Sequence, residues 1–299
     1  MHTTGNKRVV FHVGYPKCAS TFLQETVFCD PERATLVSKR TSPEFISCLY
    51  GPGDRFSPEE ANSHLPYTNK TLLVSCEGLC GNATSSPGRA KVFFSRIKTL
   101  FPHATLLFIV RNQIDFIESL ILEWTRFGQI GPMSANAIVK SNMIDRSYLD
   151  YARVLHRASD LFGGEMVKVL VLEDLRNDSA RFFDDLQDAI GFEVASQVDA
   201  APVRQRISPF SYYLMRLVSY VQKSRLNPTG WEFSPWLNKR FRNLQSEFDK
   251  LYRLLPVFGK SPSFLSRSNV LDLADYYKDS NRRLSNLLGR DLGAVGYPI

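Results

Sequence analysis

The stretch Arg8-Val9-Val10-Phe11-His12-Val13-Gly14-Tyr15-Pro16-Lys17-Cys18-Ala19-Ser20-Thr21-Phe22-Leu23 constrains this chain more than any other. An apolar run stops at Gly14 and Pro16. A lysine, two small residues and a Ser-Thr pair follow, and then an amphipathic pattern. That order predicts a buried strand, a tight loop and a helix N-terminus, the arrangement that holds a phosphate. Lys17 supplies a point charge, and Ser20 and Thr21 supply hydroxyl donors. Cys18 and Ala19 are small enough for backbone N–H groups to approach an anion. A Walker A loop needs Gly-x-x-x-x-Gly-Lys-Ser/Thr. Here Lys17 comes three residues before Ser20, and no glycine stands directly ahead of it. The expected ligand is phosphorylated, but it is not ATP held in the P-loop manner.

Further apolar runs at Thr71–Ser75, Thr105–Val110 and residues 167–172 join the first at 9–13. None alternates with period two, as expected for parallel strands covered on both faces. Helical spacing follows the first run (Phe22, Leu23, Thr26, Val27) and the third (Ile114, Ile117, Leu120, Ile121, Trp124). Residues 148–162 read as a helix stopped by Gly163-Gly164. Residues 39–66, rich in Pro, Ser and Gly, read as an irregular excursion with one short helix. Two apolar stripes within 207–259, broken at Asn227-Pro228-Thr229-Gly230, predict a helical hairpin added to the core. The expected fold is therefore three-layer α/β: a central parallel sheet flanked by helices, plus a helical C-terminal addition. The whole of 1–299 is read as one domain.

A hydrophobic fraction of 43% over 299 residues is ample for such a core, and a net charge of +7 favours anionic ligands. The basic residues are spread along the chain instead of forming a block, which argues against nucleic acid. Five cysteines (18, 29, 48, 76 and 80) share no repeated spacing, and no paired Cys or His cluster completes a zinc site around Cys76 and Cys80. Reduced thiols are expected, with Cys18 inside the loop open to modification but not catalytic. No signal core or membrane-length apolar run occurs, so a soluble, cytoplasmic protein is expected.

The second informative stretch is Val110-Arg111-Asn112-Gln113-Ile114-Asp115-Phe116-Ile117-Glu118-Ser119. An arginine stands where a buried strand ends, and a serine follows eight residues later on the next helix. Ligands of open α/β sheets lie beyond the carboxyl ends of the strands. Arg111 there offers a fork of donors suited to a second phosphate, with Ser119 adding a hydroxyl.

Gly14-Tyr15-Pro16-Lys17-Cys18-Ala19-Ser20-Thr21-Phe22 resembles the 5′-phosphosulfate loop of sulfotransferases that use 3′-phosphoadenosine 5′-phosphosulfate (PAPS). The Arg111-to-Ser119 segment is similar to that family's 3′-phosphate motif. Val169-Leu170-Val171-Leu172-Glu173-Asp174-Leu175 resembles its later strand. Residues 276–281 and Gly296-Tyr297-Pro298 look like the terminus of bacterial members. The resemblance implies that Lys17 stabilises the leaving 5′-phosphate, and that Cys18, Ala19, Ser20 and Thr21 hold it. Phe22 then packs beside the nucleotide, while Arg111 and Ser119 bind the 3′-phosphate. Arg204 and Arg206 are candidates for a further basic contact. The implied reaction yields adenosine 3′,5′-bisphosphate and needs no metal.

An acceptor hydroxyl loses a proton as it attacks sulfur, so a general base is expected. Glu77, after the Thr71–Ser75 strand, is the first candidate, with His64 and His103 as substitutes. His12 reads as a core residue, and Glu173 and Asp174 as structural carboxylates. The aromatic and apolar stripes of 210–255 read mostly as core, while Tyr212, Trp231 or Trp236, where exposed, are candidates to line an acceptor pocket, and pattern alone does not separate the two. Lys239, Arg240 and Arg242 read as a solvated helix face. A carbohydrate or glycoconjugate acceptor is favoured over a tyrosyl peptide, lipid or small molecule. The rival readings are a small-molecule kinase of P-loop type and a basic interaction protein.

Overall fold

A computed structural model describes residues 8–84, 88–127, 129–131, 133–194, 209–223, 229–254 and 263–299. The chain runs β1 (Val9–Gly14), α1 (Ser20–Thr26), β2 (Ala34–Ser38), α2 (Pro43–Tyr50), α3 (Pro58–Ser63), β3 (Thr71–Ser75), α4 (Gly88–Leu100) and β4 (Thr105–Val110). It continues as α5 (Gln113–Arg126), α6 (Ala135–Lys140), α7 (Tyr151–Phe162), β5 (Val167–Val171), α8 (Asp174–Asn177) and α9 (Ser179–Ile190). The last helices are α10 (Pro209–Val221), α11 (Pro235–Leu254) and α12 (Arg267–Leu288).

The strands form one parallel sheet in the order β2-β3-β1-β4-β5, with helices on its flanks. β1 and β4 are buried along their whole length, whereas β2 and β5 at the edges are partly open. Burial on both faces explains the apolar runs of β1 and β4, whereas β5 reads as a strand despite its partly open edge position. The four apolar runs are strands within a residue of their expected ends. β2, Ala-Thr-Leu-Val-Ser, was not expected because an edge strand needs fewer apolar residues. The 39–66 excursion is also more ordered than expected, since it carries both α2 and α3.

The chain separates into two compact units. One comprises residues 1–112, 145–203 and 277–299 and contains the sheet. The other comprises 113–144 and 204–276 and is helical, so α5 and α6 join the hairpin helices α10 and α11 there. In that helical unit Tyr212 is buried, with its hydroxyl accepting from Ala135 N–H at 3.0 Å and its ring 4.5 Å from Phe264. It is a core residue and lines no surface. Trp231 and Trp236 are exposed, and Arg240 lies over the Trp236 ring at 4.9 Å. Among the described residues no helix is long and apolar enough to cross a membrane.

In the sheet unit, α7 begins later than expected because Asp150 caps it, accepting from Arg153 N–H at 3.2 Å. Asp174, which starts α8, is buried against a two-pronged contact from Arg290 at 2.5 and 2.9 Å. Removing one partner of such a pair strands a desolvated charge. Arg290→Ala is expected to lower unfolding stability by about 3 kcal/mol, read from urea denaturation. Asp174→Asn introduced into Arg290→Ala should recover part of that loss.

Candidate active site

β1 is the point where the strand order reverses: the chain first goes out to the edge at β2 and returns to β3 beside β1, then crosses to β4 and β5 on the other side. The carboxyl ends of β3, β1 and β4 therefore lie side by side, and ligands of open α/β sheets bind at such a place. Each of these three ends carries a residue singled out in the sequence. Lys17 follows β1, Glu77 follows β3, and Arg111 follows β4.

The loop after β1 has left-handed backbone at two non-glycine residues, Lys17 (φ 65°) and Ala19 (φ 60°). L-residues adopt that region at a cost of about 1–2 kcal/mol each, so its use twice within three residues marks a loop shaped for a purpose. Left-handed residues of this kind gather successive N–H groups into an anion-binding concavity. Arg111 holds the loop from the β4 side, donating Nη1–H to the Lys17 carbonyl at 3.1 Å. Tyr151 donates its hydroxyl to the Arg111 carbonyl at 2.7 Å. Below the loop Tyr15 is buried, with its ring edge-on to Tyr148 at 5.1 Å and to Tyr151 at 4.8 Å.

Glu77 opens a single 3-10 turn, Glu77–Cys80, directly after β3. Ser20 donates its hydroxyl to Glu77 Oε1 at 3.1 Å, so the loop and the carboxylate are in direct contact. The turn approaches β1 closely. A Cβ on Gly14 would run into Cys80, reaching its Cβ at 2.9 Å, which is why glycine ends this strand. Behind the turn, the Tyr50 hydroxyl meets Cys76 Sγ at 3.4 Å.

Beneath Ser20 and Glu77 lies a polar cluster that pattern reading did not foresee. Ser75 Oγ accepts from Gln24 Nε2–H at 2.8 Å and pairs with His12 Nδ1 at 2.9 Å. Alternation within β1 and β3 places His12 and Ser75 opposite each other, and this register was the one available signal. His12 is fully buried, and desolvation pushes its pKa down to about 4 against the opposing pull of Glu77. It is a neutral core imidazole, as expected. His103 is exposed just ahead of β4, at the amino end of the sheet and away from Glu77. His64 is exposed at the end of α3.

The β5 side is built from carboxylates whose oxygens are already engaged. Glu173 Oε1 accepts from Asn112 N–H at 2.9 Å, and Oε2 accepts from the Tyr297 hydroxyl at 3.0 Å. Burial pushes the Glu173 carboxyl up, and those two donors pull it back. Asn112 Nδ2–H also donates to the Gly296 carbonyl at 2.5 Å. The Gly296-Tyr297 end of the chain thus braces the loop that carries Arg111.

The Cys18 side chain is buried and its thiol is pushed up by desolvation, so the loop thiol is unreactive. Ser20 is buried, while Lys17, Ala19, Thr21 and Phe22 are half-buried. Ser119 is half-buried on α5 in the helical unit. It stays with the phosphate reading on its sequence spacing alone. Arg204 and Arg206 lie outside the described residues.

No family model matches the chain, and no curated protein matches it by sequence. Solved structures do match. A sulfotransferase from Alicyclobacillus acidocaldarius aligns over 97% of this chain and 99% of its own, with 16% identity and a TM-score of 0.53. The mouse sulfotransferase SULT7A1 complexed with PAP aligns over 92% of this chain and 84% of its own, at 14% identity and a TM-score of 0.46. The sulfotransferase domain of the curacin biosynthetic pathway covers 95% of this chain and 98% of its own, at 13% identity and a TM-score of 0.41. The fold is that of the bacterial sulfotransferase.

The histidine beneath the site makes a pH prediction. Its native pKa lies below the ordinary 6.5, so between pH 6.5 and 4 the unfolded chain binds a proton that the native state does not. The stability it permits is complete above pH 6.5 and drains away as pH falls towards 4, by about 3 kcal/mol in all. The ring resonances of His12 should keep their neutral positions down to pH 5. A midpoint near 6.5 would contradict the buried neutral assignment.

Proposed function

We propose that this protein is a PAPS-dependent sulfotransferase that moves a sulfuryl group to an acceptor hydroxyl. The observation that carries the reading is the convergence of Lys17, Glu77 and Arg111 at three adjacent strand ends, with Ser20 touching Glu77 and Arg111 holding Lys17. The fold shared with the bacterial sulfotransferase is consistent with it. In this reading PAPS is a substrate. Its 5′-phosphate lies in the loop against the backbone of Cys18 and Ala19 and the hydroxyls of Ser20 and Thr21. Phe22 packs beside the nucleotide, and Arg111 with Ser119 takes the 3′-phosphate. Two anionic groups ask for two separated cationic donors, and Lys17 and Arg111 supply them on neighbouring strands.

The acceptor oxygen attacks sulfur and passes its proton to Glu77. The bond from sulfur to the bridging oxygen breaks, and the charge left on the 5′-phosphate falls to Lys17. A sulfate ester and adenosine 3′,5′-bisphosphate result, and the step as written requires no metal. Ser20 has a single proton to donate. While it is given to Glu77 it is withheld from a phosphate, so donor binding competes directly for the contact that restrains the base. The chain acts as one sulfotransferase domain in the cytoplasm, with 207–259 as its acceptor-side helical part and a carbohydrate or glycoconjugate as its acceptor.

The test is transfer of sulfur-labelled PAPS to a panel of carbohydrate, tyrosyl-peptide, lipid and phenolic acceptors, with mass detection of the product. Lys17→Ala should lose at least about a hundredfold in turnover. Glu77→Gln should lose about a hundredfold or more while still binding adenosine 3′,5′-bisphosphate, measured by calorimetry without Mg²⁺. Tight ATP binding in place of that nucleotide would overturn the donor assignment. Full turnover in Glu77→Gln would remove the base. Which acceptor class is sulfated decides the carbohydrate reading.

A further inference from the structure

The 39–66 excursion contains a cluster that plays no part in the chemistry above. Cys48 on α2, Glu60 on α3 and His64 at the end of α3 bring a thiol, a carboxylate and an imidazole together, with their ligand atoms all within 4.8 Å of one another. Glu60 and His64 are four apart, so one helical turn puts both on the same face. Cys48 comes from a separate helix and completes a triangle that no sequence spacing would disclose. Cys48 is half-buried, whereas Glu60 and His64 are exposed, so the cluster is open to solvent and to entering ions. Among the described residues none of the three side chains is engaged in an ion pair or a side-chain hydrogen bond with a partner outside the cluster. Convergent donors of three kinds, uncommitted to the rest of the protein, make a set that a metal ion can use.

We propose that Cys48, Glu60 and His64 bind a zinc-class divalent cation, with water at the fourth position. The donor types select the metal. Thiolate and imidazole favour Zn²⁺ or Co²⁺ over Mg²⁺ and Ca²⁺, which take all-oxygen shells. Donor atoms around tetrahedral zinc stand about 3.3–3.8 Å apart, given metal–ligand bonds of about 2.0–2.3 Å. Closing from separations of at most 4.8 Å asks the donor atoms to approach by about an ångström. Binding releases the thiol proton to solvent and leaves a Cys48 thiolate on the metal.

The ion would have a structural consequence for the sheet unit. It would clamp α2 to α3 two residues before Tyr50, whose hydroxyl supports the turn carrying Glu77 through Cys76. The other end of this support is already fixed. Buried Arg96 donates to the carbonyls of Leu49 at 2.7 Å, Gly51 at 2.8 Å and Pro52 at 3.2 Å. The metal would add a second restraint on the α2–α3 side.

Co²⁺ titration of the full-length, tag-free protein under reducing conditions tests this. One equivalent should produce the thiolate-to-cobalt charge-transfer absorption, and excess Zn²⁺ should abolish it. Cys48→Ser and His64→Ala should remove the band, while Cys29→Ser, which alters the other accessible thiol, should leave it intact. In the unmodified protein Zn²⁺ should slow alkylation of Cys48 at least tenfold by peptide mapping and leave Cys29 unaffected, a readout that does not depend on how a variant folds. No band at saturating Co²⁺, a band that survives Cys48→Ser, or equal alkylation rates with and without Zn²⁺ would overturn the proposal.

Discussion

The close approach of Gly14 to Cys80 is the constraint on which the site rests. β1 can end beside the Glu77–Cys80 turn only because residue 14 has no side chain to hold them apart. That contact brings the loop after β1 and the turn after β3 within reach of one hydroxyl, the Ser20-to-Glu77 contact at 3.1 Å. The parallel register from Val9↔Leu72 to His12↔Ser75 sets the heights of the two strand ends before either loop begins. The meeting of Ser20 and Glu77 is therefore positioned by the sheet, and the loops inherit it.

Charge is handled in two distinct ways around that position. Groups beneath the loop are kept neutral by burial: the imidazole of His12, the thiol of Cys18 and the thiol of Cys80, pushed up to about 12. Cationic side chains at the rim, Lys17 and Arg111, are left half-exposed. A neutral floor beneath a cationic rim strengthens attraction to an anion, because fixed charges act more strongly over a medium of low dielectric. The chain's net charge of +7 acts in the same direction at longer range.

Much of this was legible in the chain, and what was missed has physical causes. Central strands announce themselves because both faces are buried, as in β1 and β4, and Lys17 and Arg111 could be placed from where those runs stop. The edge strand β2 carries too few apolar residues to stand out. The His12–Ser75–Gln24 cluster and the Ser20–Glu77 contact join residues up to 63 positions apart through lateral packing, which local pattern does not encode. Tyr212 could not be assigned to core or surface for a related reason. An aromatic residue on an amphipathic helix looks the same whether its hydroxyl meets solvent or, as here, the backbone of Ala135.

The two carboxylates at the strand ends differ in how many donors each one meets. Glu173 meets two, the N–H of Asn112 and the hydroxyl of Tyr297, and with both oxygens committed it serves as a strut. The same chain end reaches Asn112 again through the Gly296 carbonyl, while Asn281 Nδ2–H holds the Pro298 carbonyl at 2.9 Å. The final residues therefore fix the position of Arg111 from the β5 side, as the Tyr50-supported turn fixes Glu77 from the β3 side. Among the described residues Glu77 accepts a side-chain hydrogen bond from Ser20 alone, and it stays half-exposed. A carboxylate must keep an oxygen free to take a proton, and of the two only Glu77 meets that condition.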